Sequence, residues 1–397
     1  MKFKIVHTFE RMRVGEVTTI HGSFKTPVFI PVATLGAMRG LDNRDLKDMG
    51  VEVILANTYH LHIRPGDQLI KELGGLHKFM NFKGVIVTDS GGFQAFSLGY
   101  GLEHGVGKIA NNIFLEGIKN CSYKGEKLAF VSDNGIKFKD PKSGIVVELT
   151  PKKSMEIQSN LGSDIIFALD ECTSPLSDKE YTAKALERTH RWAEECLQYY
   201  DKKQALFGIV QGGEYRDLRE KSAKFMAERD FAGYGIGGSL GKSKQDMLNI
   251  IDWVTPILPE EKPRHLLGIG AVEDLFNCVE RGIDMFDCVA PARWARRGHL
   301  YISPAEGGNP KNKFRIHIRN SAFRRDPKPI DRDCDCLVCQ NYSRAYLRHL
   351  FVSNELLYFR LATYHNVYFI LNLMKKIRES IKDCSFYELK KEWLGYV

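Results

Sequence analysis

The chain has 397 residues, 43% of them hydrophobic and 27% charged, a balance that suits a globular protein with a sizeable core. No apolar run is long enough to span a bilayer, and the charged start MKFKIVHTFERM lacks the apolar stretch of a secretory signal, which points to the cytoplasm. Net charge is +8, a mild basic excess that by itself only admits a polyanionic partner, and the nine cysteines form no disulfide framework.

From the N-terminus, residues 3–29 alternate apolar and polar side chains around turn signals such as HGS and KTP, which predicts a small antiparallel sheet. A theme then repeats: a short apolar run, a Gly-rich or polar turn, and helical periodicity. The runs are VFIPVAT, VEVILANTYH, GVIVTDSGG, SDIIFALDECT, ALFGIVQGG, GYGIGGS, RHLLGIG and IDMFDCVAP. Near-continuous apolar strands separated by helices predict a buried parallel sheet, and eight of them is the number that closes a (β/α)8 TIM barrel. An open doubly wound sheet is the alternative, but no GxGxxG follows the first strand. The barrel is expected over about 25–330 plus the final helix, with an insertion at 99–130 after the third strand and a C-terminal zinc-binding subdomain at about 331–366.

Polar residues collect at the ends of these runs: Asp89 and Ser90, Asp170, Gln211, Gly237 and Gly238, Gly270, and Asp287. In a barrel such residues line the catalytic rim. Two carboxylates there can serve as nucleophile and general acid/base at a glycosidic carbon, while another Asp and an amide read the edge of a heterocycle. Each Asp could instead cap the following helix, and GGFQ could cradle a phosphate. His60 and His62 form an H-x-H on the second strand, read as structural.

Arg293, Arg296 and Arg297 are closely grouped, and KNKFRIHIRNSAFRR (311–325) interleaves Phe314 and Phe323 with further cations, a pattern suited to phosphates and unpaired bases. Cys334, Cys336 and Cys339 place three thiols within six residues, so a fourth ligand would close a tetrahedral zinc site. His349 and His365 are the candidates. Four protein ligands leave no position for water, so such a zinc would be structural.

At this point the chain resembles a known family. TDSGGFQAFSL, LDECT, GIVQGG, ERGIDMFDCVAPAR, CDCLVCQNYSRAYLRHL and TYHN, in that order, are similar to the bacterial queuine tRNA-ribosyltransferases, the tRNA-guanine transglycosylases. The resemblance implies exchange of the wobble guanine of GUN-anticodon tRNAs for a 7-deazaguanine base, preQ1 or queuine, through a covalent enzyme–RNA intermediate. It implies Asp287 as nucleophile and Asp89 as general acid/base. Ser90, Phe93, Asp170, Gln211 and Gly238 would bind the base, and Arg293 and Arg296 the anticodon loop. Cys334, Cys336, Cys339 and His365 match the zinc ligands, and a homodimer is implied. One segment departs: where bacterial members usually read LAVGE after the glycine pair, this chain has Ser239, Leu240, Gly241 and Lys242. The acidic residue that supports a cationic aminomethyl substituent is therefore missing. The alternatives are a non-catalytic tRNA-binding partner subunit of the same superfamily and a metal-dependent barrel hydrolase.

Overall fold

The computed structural model describes residues 1–93, 129–139, 144 and 146–396. Three strands, β1 (Lys2–Phe9), β2 (Met12–Thr19) and β3 (Gly22–Thr26), form the expected N-terminal sheet. The barrel strands then begin with β4 (Val28–Pro31), β5 (Val53–Ala56) and β6 (Val85–Thr88). After β6 comes a second antiparallel sheet of β7 (Ala129–Ser132), β8 (Gly135–Lys139) and β9 (Val146–Leu149). The parallel series resumes with β10 (Ile165–Phe167), β11 (Ala205–Val210), β12 (Gly233–Ile236), β13 (Arg264–Leu266) and β14 (Met285–Cys288), and β15 (His299–Tyr301) pairs with β16 (Arg315–His317).

The eight-stranded sheet runs β4-β14-β13-β12-β11-β10-β6-β5, a nearly closed parallel barrel whose strand order follows chain order apart from the inserted β7–β9. Every residue of the eight strands is buried except Asp287, which is half-buried. Continuous apolar runs are what strands covered on both faces require. The single break in that pattern is the carboxylate singled out above. Of the expected insertion, 99–128 lies outside the described residues.

Cα packing groups the chain into two units. The first comprises 1–3, 18–21 and 55–267. Its helices start on recognisable caps: Thr150 before Pro151–Leu161, Asp178 before Lys179–Tyr199, and a Ser243–Asp246 capping box before Lys244–Val254. Trp192, Phe167, Phe207, Phe231 and Tyr234 fill its core. Just before β10, the buried Asp164 carboxylate accepts from the Ile86 amide at 2.9 Å and meets His21 Nδ1 at 2.7 Å and His77 Nε2 at 3.0 Å. Burial alone would raise its pKa, but these hydrogen bonds outweigh it and hold the carboxyl below the usual range. The two imidazoles stack at 3.6 Å and each faces a different oxygen of the one carboxylate.

The second unit comprises 4–17, 22–54 and 268–397. Here β14 pairs with β4, placing Asp287 opposite Ile30, and the buried Arg13 guanidinium forks onto Asp284. The helix Leu356–Lys382 packs along Ala290–Arg296.

Two local expectations are corrected. His60 and His62 are not on the second strand: Asn57 caps a short helix, Thr58–Ile63, that carries both, and His62 Nδ1 pairs with Asp67 at 2.6 Å. Phe314 does not face a partner RNA. It is 2% exposed and packs against Trp393, because an apolar ring among cations still gains more from burial than from solvent. Among the described residues no helix is long and apolar enough to cross a membrane.

Candidate active site

In the first unit, the turns after β6, β10, β11 and β12 bring four of the sequence-selected residues together. Asp170 is the centre. Its Oδ1 accepts from Ser90 Oγ at 3.0 Å and its Oδ2 from Gln211 Nε2 at 2.5 Å. With its amide nitrogen committed to Asp170, Gln211 turns its Oε1 the other way, and that oxygen is buried with no hydrogen-bond partner among the described residues. Such an atom costs roughly 1–3 kcal/mol unless a ligand supplies a donor. Gly238 lies directly against it: a Cβ there would stand 1.9 Å from Gln211 Oε1, and its φ of +74° is itself a conformation that favours glycine. Glycine is equally obligatory at Gly92, where a Cβ would meet the Asp170 carbonyl at 2.5 Å.

Asp89, half-buried after β6, accepts the Thr58 amide on Oδ1 at 2.8 Å and the Asn57 side-chain amide on Oδ2, while its carbonyl takes the Thr58 hydroxyl. Asp89 thus faces the first turn of Thr58–Ile63. Asp170 and Asp287 are not caps, since Asp178 caps Lys179–Tyr199 and Val289 begins Ala290–Arg296 without a side-chain cap bond. Asn57 and Thr58 were missed from the sequence, although a polar pair ending the apolar run VEVILA was a signal of the same kind as the others. Phe93 is half-buried.

In the second unit, Asp287 Oδ1 accepts the Gly268 amide at 2.9 Å. Arg293 and Arg296 follow on Ala290–Arg296, both half-buried. Burial pushes both guanidinium pKa values down, and the charges of Arg39 and Arg297 push the same way. The charged neighbours with the largest effect on Arg296 are all arginines, which marks a local field suited to a polyanion. Arg39, in the segment after β4, belongs to this cluster and carried no motif by which to find it. Arg315 lies 4.1 Å over the Trp294 ring.

The cysteine cluster is also in this unit. Sγ of Cys334, Cys336 and Cys339 lie 3.8, 3.5 and 3.4 Å from His365 Nδ1. A tetrahedral zinc with sulfur at about 2.3 Å and nitrogen at about 2.0 Å would separate its ligand atoms by about 3.5–3.8 Å, so the quartet fits such an ion. His365 Nε2 donates to the Tyr301 carbonyl at 2.8 Å, leaving the Nδ1 lone pair toward the thiols. Hydrogen bonds from Cys334 and Cys339, then the His365 charge, hold the Cys336 thiol well below its ordinary range despite burial. His349, the other candidate, is exposed on Arg344–Val352.

A nearly closed eight-stranded parallel barrel with a polar array after β6, β10, β11 and β12, together with a Cys3His quartet that could hold a metal ion, defines a barrel enzyme. The comparisons give the family. The profile described as Queuine tRNA-ribosyltransferase matches residues 9–396. A protein of Archaeoglobus fulgidus, provisionally named a queuine tRNA-ribosyltransferase, is 80% identical over 401 aligned positions covering 100% of both chains. The queuine tRNA-ribosyltransferase of Roseiflexus sp. is 45% identical, covering 97% of this chain and 96% of its own. That of Bacillus subtilis is 44% identical, covering 96% and 91%. The chain belongs to the queuine tRNA-ribosyltransferase family.

Proposed function

We propose that the protein exchanges the wobble guanine of GUN-anticodon tRNAs for a 7-deazaguanine base, preQ1 or queuine, in queuosine formation. The observation that carries this reading is the Ser90–Asp170–Gln211 array: a fixed carboxylate, and beside it a buried amide oxygen that lacks a donor. A guanine-type edge offers the donors this arrangement asks for, and a flipped nucleotide is read by such hydrogen bonds. Phe93 would supply an aromatic wall, and the Gly238 backbone would complete the recognition.

In the proposed chemistry an Asp287 oxygen attacks C1′ of the nucleotide, forming an ester-like C–O bond as the bond to guanine breaks. The Gly268 N–H on Oδ1 would orient the Asp287 carboxylate for that attack. Asp89 gives a proton to the departing base and recovers one from the incoming base, so the second displacement at C1′ restores the enzyme and retains configuration. Asn57 and Thr58 hold the Asp89 carboxylate through this cycle. Arg293 and Arg296 would bind anticodon-loop phosphates. The Cys334–Cys336–Cys339–His365 quartet would hold one zinc, structural rather than catalytic because four protein ligands leave no position for water. We further infer a cytoplasmic homodimer, whose contact would use the exposed Tyr346, Val352 and Leu356, which lie between Cys339 and His365 in the metal segment.

The test incubates unmodified GUN-anticodon tRNA with radiolabelled guanine and the unmutated protein, Asp287→Ala or Asp89→Ala. Label entering RNA only with the unmutated protein supports the reading, and competition with preQ1 and queuine identifies the natural base. Zinc-loaded, folded protein that incorporates no label would move the assignment to the non-catalytic partner subunit.

A further inference from the structure

One cation in the barrel is used by nothing above. Arg219 lies in the helix Arg216–Ala227, is 0% exposed, and directs its hydrogen bonds to backbone carbonyls of two separate turns. Nε donates to Gly213 O at 2.8 Å and Nη1 to Val210 O at 2.9 Å, so the turn carrying Gln211 is gripped on both sides of that residue. Nη1 also donates to Gly237 O at 3.0 Å and Nη2 to Ser239 O at 2.6 Å, gripping the next turn on both sides of Gly238. Ser222, one turn further along the same helix, accepts the Gln211 amide at 3.1 Å. Gly212 lies so close to this helix that a Cβ would stand 2.8 Å from the Arg219 amide.

We propose that Arg219 is a positioning residue for base recognition: it fixes Gln211 and Gly238 relative to each other by bracketing each between two guanidinium-bound carbonyls. The inference rests on the base-exchange reading. The physical case is one of cost. A guanidinium fully removed from water is tolerated only where its donors are satisfied, and burial pushes its pKa down to about 9. A helix arginine could have reached solvent instead, and packing alone at this site would be served by an apolar side chain. What an arginine supplies is five donors in one rigid plane, able to span two turns at once. Four bonds across the Val210–Gly213 and Gly237–Ser239 turns use that capacity. The contact between Gly238 and Gln211 Oε1 leaves no slack, so a small relative shift of the turns would alter the recognition edge directly. Pinning Gly237 O and Ser239 O toward the helix also leaves Gly238's own carbonyl outside the clamp.

Lysine keeps the charge but cannot reach both turns, and glutamine keeps two donors without charge. Arg219→Lys and Arg219→Gln would therefore be compared with the unmutated protein for guanine KM at saturating tRNA, tRNA Kd, kcat and Tm. Losing one or two carbonyl bonds, at about 1 kcal/mol each, predicts a guanine KM raised by about 5–30-fold, with tRNA Kd changed by less than about twofold. A variant that lowers Tm while its guanine KM stays at the unmutated value overturns the proposal and leaves a purely structural arginine. Amide hydrogen exchange on the unmutated, ligand-free protein gives a readout independent of variant folding. The amides of Gln211 and Gly237, bonded to Ser222 Oγ and Val210 O beside the clamped carbonyls, should be protected like the barrel strands, and exchange at the rate of exposed turns would overturn the clamp. Unmutated protein that neither exchanges nor binds guanine would sink the base-exchange reading and this inference together. Normal exchange with an unaltered KM in both variants would sink this inference alone.

Discussion

Adding one methyl group at Gly238 is the sharpest test of the recognition array. In Gly238→Ala the new Cβ would stand 1.9 Å from Gln211 Oε1, 2.8 Å from its Cδ and 3.0 Å from its Nε2, so the whole amide must move. Moving it breaks the 2.5 Å bond from Gln211 Nε2 to the Asp170 carboxylate. A hydrogen bond to a charged group is worth about 1.5–3 kcal/mol, which converts to an affinity loss of about 10–150-fold for the base. A second cost is separate: alanine at φ +74° adds about 1 kcal/mol of backbone strain, and this falls on stability. In a chain of this length that strain lowers Tm by no more than about 4 °C. The assay is steady-state incorporation of labelled guanine, varying guanine at saturating tRNA and then the reverse. The expected signature is a raised guanine KM with an unchanged tRNA KM. If both constants stay at the unmutated values, Gln211 is not fixed by Gly238 and the array does not read the base.

Other outcomes follow from the remaining geometry. Purified protein should carry about one zinc per chain, and Cys336→Ser should lose it and unfold at lower temperature, as elemental analysis and calorimetry would show; full metal loss with an unchanged Tm would refute a structural role. Arg293→Ala and Arg296→Ala should each weaken tRNA binding and lower the slope of log Kd against log salt by about 0.7–0.9; an unchanged slope would remove that arginine from the phosphate contacts. Burial pushes the His190 pKa down to about 4 from an ordinary 6.5, and its ring lies flat on Phe225. Its folded pKa is depressed, so its contribution is fully present above pH 6.5 and is lost as pH falls toward 4, a change on the order of 3 kcal/mol. His190→Gln should flatten urea-unfolding stability between pH 7 and pH 4, and an unaltered pH dependence would contradict the assignment.

The barrel strands were legible because burial on both faces leaves a local mark, a continuous apolar run, and four residues ending those runs, Ser90, Asp170, Gln211 and Gly238, meet in the candidate array. The thiols of the metal quartet were legible for a similar reason, being close in sequence. What was not legible depends on distant partners. The helix Thr58–Ile63 hides inside VEVILANTYH because six residues are too few for periodicity to separate helix from strand, and only the Asn57 cap gives it away. The sheet β7–β9 follows a segment whose mixed composition gave no strand signal. Arg219 reads as one more surface cation on an amphipathic helix, since its four carbonyl partners lie 6 to 20 residues away along the chain. Phe314 shows the opposite error, where a local pattern of rings among cations suggested stacking but the fold used the ring as core.

His365 and Asn366 are neighbours on the long helix Leu356–Lys382, and they do different work. While the imidazole faces the thiols, the Asn366 side chain accepts the Tyr301 amide at 3.0 Å and donates to the carbonyls of His299 at 2.9 Å and Pro291 at 3.1 Å. Pro291 opens the segment that carries Arg293 and Arg296. A metal held at His365 would act like the stop on a sliding rule, fixing the helix that carries Asn366 against Ala290–Arg296. Removing the ion should therefore show first as a weaker grip on tRNA, before any loss of guanine binding, and titrating chelator while following both ligands would reveal the order.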